Sequence, residues 1–242
     1  MHRQIGLLFE GFEISWFGEW HRNKCGHPVH RTTPKLILNK TTIKEDSLKA
    51  LKRTIETYCP ISVETWEEFK TFCVLIHLGK DQFFTKAGEI PQSFSFVYAG
   101  LLRVYVTDTK GNEYNKVFFP ENTFPGSMVA LLTSAPSNFS IVSLEKSHLL
   151  QINFEAYRHL LMIRDDLKLF HILYLEKNWL VEKEKREVAL VQESATERYL
   201  SFKEHYPALE KRISQYHIAS HLGITPTQLS RIRKNLANPK KD

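Results

Sequence analysis

The side chains best suited to chemistry in this sequence lie near its carboxyl end, in the stretch ISQYHIASHLGITPTQLSRIRKNL, residues 213–236. Gln228 carries an amide and Arg231 a guanidinium, and each group can form two hydrogen bonds at once with the edge of a DNA base. Arg233 and Lys234 follow, and cations of this kind neutralise phosphates and release bound counterions. These residue types at this spacing predict a surface that binds double-stranded DNA.

Hydroxyl and amide side chains accompany these cations, and they suit contacts with phosphate or base atoms. A plain α-hairpin inside a helical bundle is the alternative interpretation of the same stretch. The predicted DNA-binding set is Ser214, Gln215, Thr225, Thr227, Gln228, Ser230, Arg231, Arg233 and Lys234.

The net charge of the chain is +6, and all of it comes from residues 211–242. That segment holds seven Lys and Arg residues and one acid, Asp242, whereas residues 1–210 are formally neutral. A polyanion is therefore attracted to one end of the molecule. A solvated, lysine-rich tail is the alternative explanation for a charge run, so the charge indicates DNA binding only together with the helical pattern.

Two short helices joined by a tight turn are predicted to position the DNA-binding set. Gly223 separates the two helical patterns, because glycine adopts the left-handed conformation that ends a helix at little cost. Thr225 can cap the second helix, and Pro226 fits its first turn. This is the arrangement of a helix-turn-helix unit, whose shared core is predicted to contain Ile218, Ala219, Leu222, Ile224, Leu229 and Ile232.

The rest of the chain predicts an α+β fold with an antiparallel, jelly-roll-like β-barrel. From Phe72 to Ile152, short segments rich in aromatic and β-branched residues alternate with turn signals such as TKGN at 109–112. The predicted domains are an irregular N-terminal extension (1–45), a barrel domain (46–164), a long helix (165–193) and a helix-turn-helix domain (194–242).

A helical pattern without glycine or proline runs from about Asp165 to Ser194. Its first half is apolar nearly all round, and a helix of that kind must be covered on several sides. The barrel can cover one face, and a second copy of the chain can cover another. The pattern therefore predicts a homodimer, with a helix buried inside one large monomer as the alternative.

Composition excludes several other classes of protein. Three scattered cysteines form neither a disulfide framework nor a zinc motif, and they suit a reducing compartment. The first residues do not have the pattern expected of a signal peptide, and no apolar run approaches the ~20 residues that a membrane helix needs. Phosphate-loop, dinucleotide, nucleophile-elbow and HExxH motifs are also missing. We therefore expect a cytoplasmic protein that is not an enzyme, with no metal, no other cofactor and no membrane partner.

Two segments resemble the Crp/Fnr family of bacterial transcription regulators. The first is ATERYLSFKEHYPALEKRISQYHIASHLGITPTQLSRIRKNL, residues 195–236, and the second is FVYAGLLRVYVTDTKGNEYNKVFF, residues 96–119. The resemblance implies a cyclic-nucleotide-binding-like barrel and a C-terminal winged helix-turn-helix. It also implies a homodimer through the long helix, with two recognition helices in successive major grooves of the DNA. RNA polymerase is a further partner that such a regulator suggests.

The effector site of that family is degenerate in this sequence. Members that bind cyclic AMP have Gly-Glu and, about ten residues on, Arg followed by Ser or Thr. The matching stretch here is PGSMVALLTSAPSNFS, residues 125–140, and it has no Lys or Arg. A buried phosphate without a cation is costly, so we predict that cyclic AMP is not the effector. The residues that could still line a pocket for an unknown small-molecule effector are Gly126, Ser127, Met128, Ser137 and Asn138.

Two alternatives remain open for the function and for the pocket. The chain could be a ligand-sensing module whose helical end docks a protein and not DNA. The pocket could also be filled by Phe124, Met128 and Phe139, in which case no effector binds there.

Overall fold

The computed structural model describes residues 40–238, together with the backbone of residues 8–9, 12–22 and 28–37. Contacts divide the chain into two compact units, residues 1–49 and 50–242. An antiparallel sheet in the first unit has the order β1-β2-β3, and its strands are β1 (Leu8–Phe9), β2 (Phe12–Arg22) and β3 (Pro28–Ile37).

These strands differ from the irregular extension that the sequence predicted for residues 1–45. The signal for β2 was present, because Phe12, Ile14 and Trp16 alternate with polar residues in the sequence. Helix α1 (Lys40–Glu56) follows and crosses the division between the two units. Helix α2 (Val63–Phe69) begins at Ser62, whose side chain accepts a hydrogen bond from the Thr65 amide.

The second unit contains the predicted barrel, built from two antiparallel sheets. One sheet has the order β4-β10-β6 and the other β5-β9-β7-β8. A short helix, α3 (Met128–Thr133), lies between β8 and β9 in the sequence. The strands are β4 (Cys73–Leu78), β5 (Phe83–Thr85), β6 (Ser93–Ala99), β7 (Leu102–Thr107), β8 (Glu113–Phe119), β9 (Ser140–Ser143) and β10 (Ser147–Asn153).

Both sheets contribute to one apolar core, which includes Val97, Leu102, Val104, Ile141 and Leu149. Burying each such side chain contributes about 1.5–3 kcal/mol. Gly100 separates β6 from β7 with a φ of +107°, and a Cβ there would lie 2.1 Å from the Ser147 hydroxyl oxygen. The bend at Gly100 is thus fixed by both backbone conformation and space.

A nearly continuous helical region follows the barrel. It consists of α4 (Phe154–Ile163), α5 (Asp165–Leu175), a π-helical segment (Glu176–Val181) and α6 (Glu182–Gln192). The sequence predicted the long helix but not the π-helical segment. Side-chain contacts accompany this segment, since the Asn178 amide donates to the Tyr174 carbonyl and to the Tyr58 hydroxyl, each at 2.9 Å.

The chain ends in three helices, α7 (Ala195–His205), α8 (Gln215–Leu222) and α9 (Pro226–Ala237). The α+β fold class predicted from the sequence is confirmed. Between residues 195 and 238 the structure has no strand, so the wing implied by the family resemblance is not part of this region. None of the helices in the described part of the chain is long and apolar enough to cross a membrane.

Candidate nucleic-acid interface and effector cleft

Helices α8 and α9 are joined by the turn that the sequence predicted. Gly223 has a φ of +68°, and its amide ends α8 by donating to the carbonyls of Ala219 and Ser220. Ala219 and Leu229 are fully buried where the two helices share a core. The small side chain at 219 and the glycine at 223 therefore fix the angle at which α9 leaves α8.

The polar side of α8 faces the barrel rather than solvent. The Ser220 hydroxyl accepts from the Asn115 amide at 3.0 Å and donates to the Glu113 carbonyl at 2.8 Å. The Asn115 side chain in turn donates to the carbonyl of His217 at 3.0 Å. These bonds dock α8 on strand β8.

Aromatic packing strengthens the same interface. The ring of His221 lies 5.2 Å from that of Phe118 on β8 and 5.7 Å from that of Phe202 on α7. Burial, followed by the positive charge of Arg186, lowers the pKa of His221 to about 4. The imidazole is therefore neutral near pH 7 where it packs against these aromatic rings.

Arg212 ties the segment before α8 to two loops of the barrel. Its guanidinium donates to both carboxylate oxygens of Glu121, at 2.8 and 2.9 Å, and to Glu145 at 2.5 Å. Partial burial opposes ionisation of Glu121, but the hydrogen bonds from Arg212 prevail and lower its pKa. Arg212 belongs to the basic C-terminal segment, yet its charge is already neutralised inside the chain.

The outward side of α9 carries four members of the predicted DNA-binding set: Thr227, Ser230, Arg231 and Lys234 are all exposed. Neither Arg231 nor Lys234 takes part in an ion pair with any residue between 40 and 238. Their charges are therefore available to a ligand in solvent.

Four other members of that set form hydrogen bonds that order α8, α9 and the turn between them. Thr225 and Gln228 form a capping box, in which the Gln228 side-chain oxygen accepts from the Thr225 amide at 2.8 Å. Ser214 caps α8 by accepting from the His217 amide. Gln215 donates to the carbonyl of Pro226 at 2.6 Å.

Arg233 lies half-buried, although the sequence pattern suggested an outward position. Its guanidinium contacts Glu210 at 3.0 Å and donates to the Tyr199 hydroxyl at 3.0 Å. Residue 233 follows the buried Leu229 by one helical turn, so both side chains lie on the inner side of α9. Arg233 thereby attaches α9 to α7.

Two serines of the predicted effector pocket contact each other. Ser127 and Ser137 are buried, and their hydroxyl oxygens lie 2.9 Å apart. The Ser137 hydroxyl also donates to the Phe139 carbonyl at 2.7 Å. At the positions where the family resemblance led us to expect Glu and Arg for a site that binds cyclic AMP, this chain has two neutral groups that bond to each other.

A cleft of about 320 Å³ lies beside these serines. Ser127 and Asn138 line it together with apolar side chains such as Val129, Pro136 and Phe139, and none of its lining residues is charged. Three predicted pocket residues, Gly126, Met128 and Ser137, do not line it. A Cβ at Gly126 would lie 2.7 Å from Phe94 Cβ and 3.3 Å from Met128 Sδ. The cleft suits an apolar group better than a phosphate. Within the described residues, no group of three or more His, Cys, Asp and Glu could hold a metal ion.

Comparison with models of protein families identifies the type of domain that the barrel forms. Residues 75–164 match the family model of the cyclic nucleotide-binding domain. This segment covers the strands of the barrel from Leu75 onward and helix α4. No curated protein sequence shows significant similarity to the chain.

Solved structures extend the likeness beyond the barrel. The c-di-GMP responsive global regulator CLP of Xanthomonas campestris matches with a TM-score of 0.59 at 14% identity, covering 73% of this chain and 92% of CLP. FixK2 of Bradyrhizobium japonicum matches with 0.58 at 16%, covering 68% and 84%. A putative Crp/Fnr regulator of Eubacterium rectale matches with 0.53 at 17%, covering 75% and 88%. The chain therefore has a cyclic nucleotide-binding domain and the fold of the Crp/Fnr transcriptional regulators.

Proposed function

We propose that this chain is a sequence-specific DNA-binding transcriptional regulator, in which α8, the turn and α9 act as a helix-turn-helix and α9 is the recognition helix. The proposal rests on one observation above all: the outward face of α9 presents unpaired cations next to exposed hydroxyl groups. The regulators that share the fold support a regulatory rather than a catalytic role.

The proposed contacts with DNA bases and phosphates differ with position along α9. Arg231 is in the middle of the helix, and its guanidinium can bind the two acceptors of a guanine in the major groove. Gln228 uses its side-chain oxygen for the capping box, which leaves its amide NH₂ to donate to a base. Lys234, nearer the carboxyl end, suits a phosphate, and Thr227 and Ser230 can add hydrogen bonds.

A dimer is proposed from the exposed apolar face of the long helix. Leu169, Ile172 and Leu180 are 47%, 51% and 65% exposed, which is costly for large side chains in water. Trp179, on the π-helical segment, is exposed as well. A second copy packed along this face would bury these side chains. Binding to successive major grooves requires that the two copies of α9 lie about one turn of DNA apart, roughly 34 Å.

Selection of bound sequences from random duplex DNA tests this function. We expect a near-palindromic site with half-sites about 10 base pairs apart and affinity that falls steeply with salt. Arg231→Ala should cost about 1–3 kcal/mol at one position of the half-site and relax its specificity. Lys234→Ala should weaken all sequences alike and lower the salt slope by about 1 per half-site.

The matched control is Lys211→Ala, because Lys211 is exposed but lies outside α9. It should retain the affinity and the preferred sequence. If both α9 variants bind DNA as the unmodified protein does, α9 is not the recognition helix. Binding of a protein partner without binding of DNA would favour the sensor-module alternative.

A further inference from the structure

Two histidines on one face of the barrel, His77 on β4 and His148 on β10, contact each other; we call them the β4–β10 histidine pair. They are direct partners in the antiparallel register, so their side chains project from the same side of the sheet. Their Nδ1 atoms lie 2.8 Å apart, and their ring planes are inclined at 83°. Nothing local in the sequence indicates this pair, because the two residues lie 71 positions apart in the chain.

The pair is open to solvent at the edge of its sheet. Strand β4 is an edge strand, and His77 is exposed while His148 is half-buried. The next residues along the strands, Ile76 and Leu149, point to the other side and pack in the barrel core. The partner of His148 on β6 is Ala99, whose side chain is small and has no group that could bind a ligand. Solvent can therefore reach the two rings.

The contact between the rings requires that at least one of them is neutral. Two nitrogen atoms form a hydrogen bond only when one carries the proton and the other has a free lone pair, so one Nδ1 of the pair is an acceptor. A neutral imidazole with a free lone pair is also the form that binds metal ions. A metal ion that replaced the shared proton would be a common partner for both Nδ1 atoms.

The distance between the two Nδ1 atoms matches a pair of metal ligands at a right angle. Imidazole nitrogens bind a metal ion at about 2.0 Å, so two of them at 90° lie about 2.8 Å apart, against about 3.3 Å in a tetrahedral site. The strands therefore need not move, although the rings must turn about their Cβ–Cγ bonds to direct both lone pairs at the ion. Cu²⁺ and Ni²⁺ prefer square-planar or tetragonal coordination by nitrogen and oxygen, whereas Zn²⁺ prefers a tetrahedral site.

We propose that the β4–β10 histidine pair binds a Cu²⁺ or Ni²⁺ ion through both Nδ1 atoms, with water in the remaining positions. The described residues contain no group of three or more His, Cys, Asp and Glu side chains that could hold a metal ion, so this site has two protein ligands. The proposal departs from the expectation of no metal, which depended on motifs of residues close in sequence. It does not depend on the DNA-binding proposal, and its test needs no DNA.

An ion at this site would connect the edge strand to the strand end that supports α8. Three residues before His148, the Glu145 carboxylate accepts a hydrogen bond from Arg212. Lys146 lies between them and is exposed, and its charge contributes, after burial and the charge of His77, to a lowered pKa of His148. The same positive charge should oppose the binding of a metal ion.

The test titrates the full chain, freed of metal with a chelator, with NiCl₂ and with CuCl₂ by calorimetry. Substitutions His77→Gln and His148→Gln should each weaken binding at this site about a hundredfold, because two linked ligands bind far more tightly than one. The electron paramagnetic resonance spectrum of bound Cu²⁺ should show a tetragonal site with two nitrogen ligands, and one fewer in either variant. Bound Ni²⁺ should slow hydrogen exchange in β4 and β10 more than in β7 and β8.

The matched control is His159→Gln, because His159 is an exposed histidine on α4, outside the pair. This variant should bind both ions as the unmodified protein does. Lys146→Met should bind them severalfold more tightly, since it removes a positive charge beside the site and leaves both ligands in place. The proposal is overturned if the two pair variants bind Ni²⁺ and Cu²⁺ as tightly as the unmodified protein, or if the slowed exchange lies outside β4 and β10. A tetrahedral Cu²⁺ spectrum would contradict the right-angled geometry.

Discussion

Helices α8 and α9 are joined by one tight turn, yet polar side chains of α8 contact the barrel whereas those of α9 face solvent. On α8, Ser220 and His221 face strand β8 and are bound to it. On α9, Arg231 and Lys234 reach into solvent. One helix therefore attaches the pair to the barrel, and this attachment leaves the other helix exposed for a partner.

The arginines of this region show the same division. Arg212 and Arg233 are held by carboxylates of the chain, whereas Arg231 is not. The charge surplus of residues 211–242 consequently overstates the number of cations that are free for the proposed binding of DNA. Arg212 and Arg233, which attach the helices, and Arg231, which we propose to contact DNA, look alike in the sequence.

The largest expected effect on stability comes from Phe118→Ala. This substitution removes the aromatic side chain of β8 that packs against α8. Phe118 is 1% exposed and belongs to the core shared with α7, α8 and α9. The substitution should destabilise the protein by about 3–5 kcal/mol in chemical denaturation.

Leu236→Ala on the outward side of α9 is the matched control, because Leu236 is 42% exposed. It should cost less than about 1 kcal/mol. Equal losses of stability for the two variants would show that the side of α8 that contacts Phe118 is no more buried in solution than the outward side of α9.

The pH dependence of stability should be the next largest effect. The pKa of His221 is about 4 when folded, against an ordinary value of 6.5, so the unfolded chain binds the proton more tightly. His221 thus adds stability that is complete above pH 6.5 and is lost as the pH falls towards 4. Between pH 7.5 and 4.5 we expect a loss of about 2–3 kcal/mol from this group.

The variant His221→Leu should lose less stability than the unmodified protein between pH 7.5 and 4.5. Urea denaturation at these two pH values measures the difference. His217 lies in the same interface, and burial lowers its pKa too, so some slope should remain. The control is His159→Leu, which changes an exposed histidine outside the interface and should leave the slope unchanged. An unaltered slope in His221→Leu would mean that His221 is hydrated and α8 is not docked.

A smaller effect is expected from Arg212→Met, which leaves Glu121 and Glu145 without their shared partner. The three groups are partly exposed, so we expect a loss of about 1–2 kcal/mol, less than for a fully buried ion pair. Hydrogen exchange should increase in α8 more than in the barrel strands.

Lys211→Met provides the comparison, because Lys211 is the exposed neighbour of Arg212. It should leave both stability and exchange as they are. A change in Arg212→Met no larger than in Lys211→Met would show that the contact with the two glutamates contributes nothing to docking.

Local features of the sequence were sufficient to predict the elements that position α9. Gly223, Thr225 and Pro226 act within their own turn, so their roles follow from backbone conformation and capping alone. The strands β4 to β10 lie between Cys73 and Asn153, close to the range Phe72 to Ile152 predicted for the barrel.

Contacts between distant segments could not be predicted in this way. Arg212 meets Glu121 and Glu145, which lie 91 and 67 residues away in the chain, and nothing local distinguishes it from Arg231. Lys116 likewise lies outside residues 125–140 in sequence but beside Phe139 in space. Such pairings depend on the register of the strands and on how the helices cross them.

The π-helical segment Glu176–Val181 changes the direction in which the two halves of the long helix present their side chains. A π-turn inserts about one extra residue, which rotates every later side chain by roughly 100° about the helix axis. A second copy that packed along α5, as in the proposed dimer, would therefore lose contact with the same face of the helix beyond Val181. In α6, Arg186 contacts the barrel of its own chain through the carbonyl of Lys116.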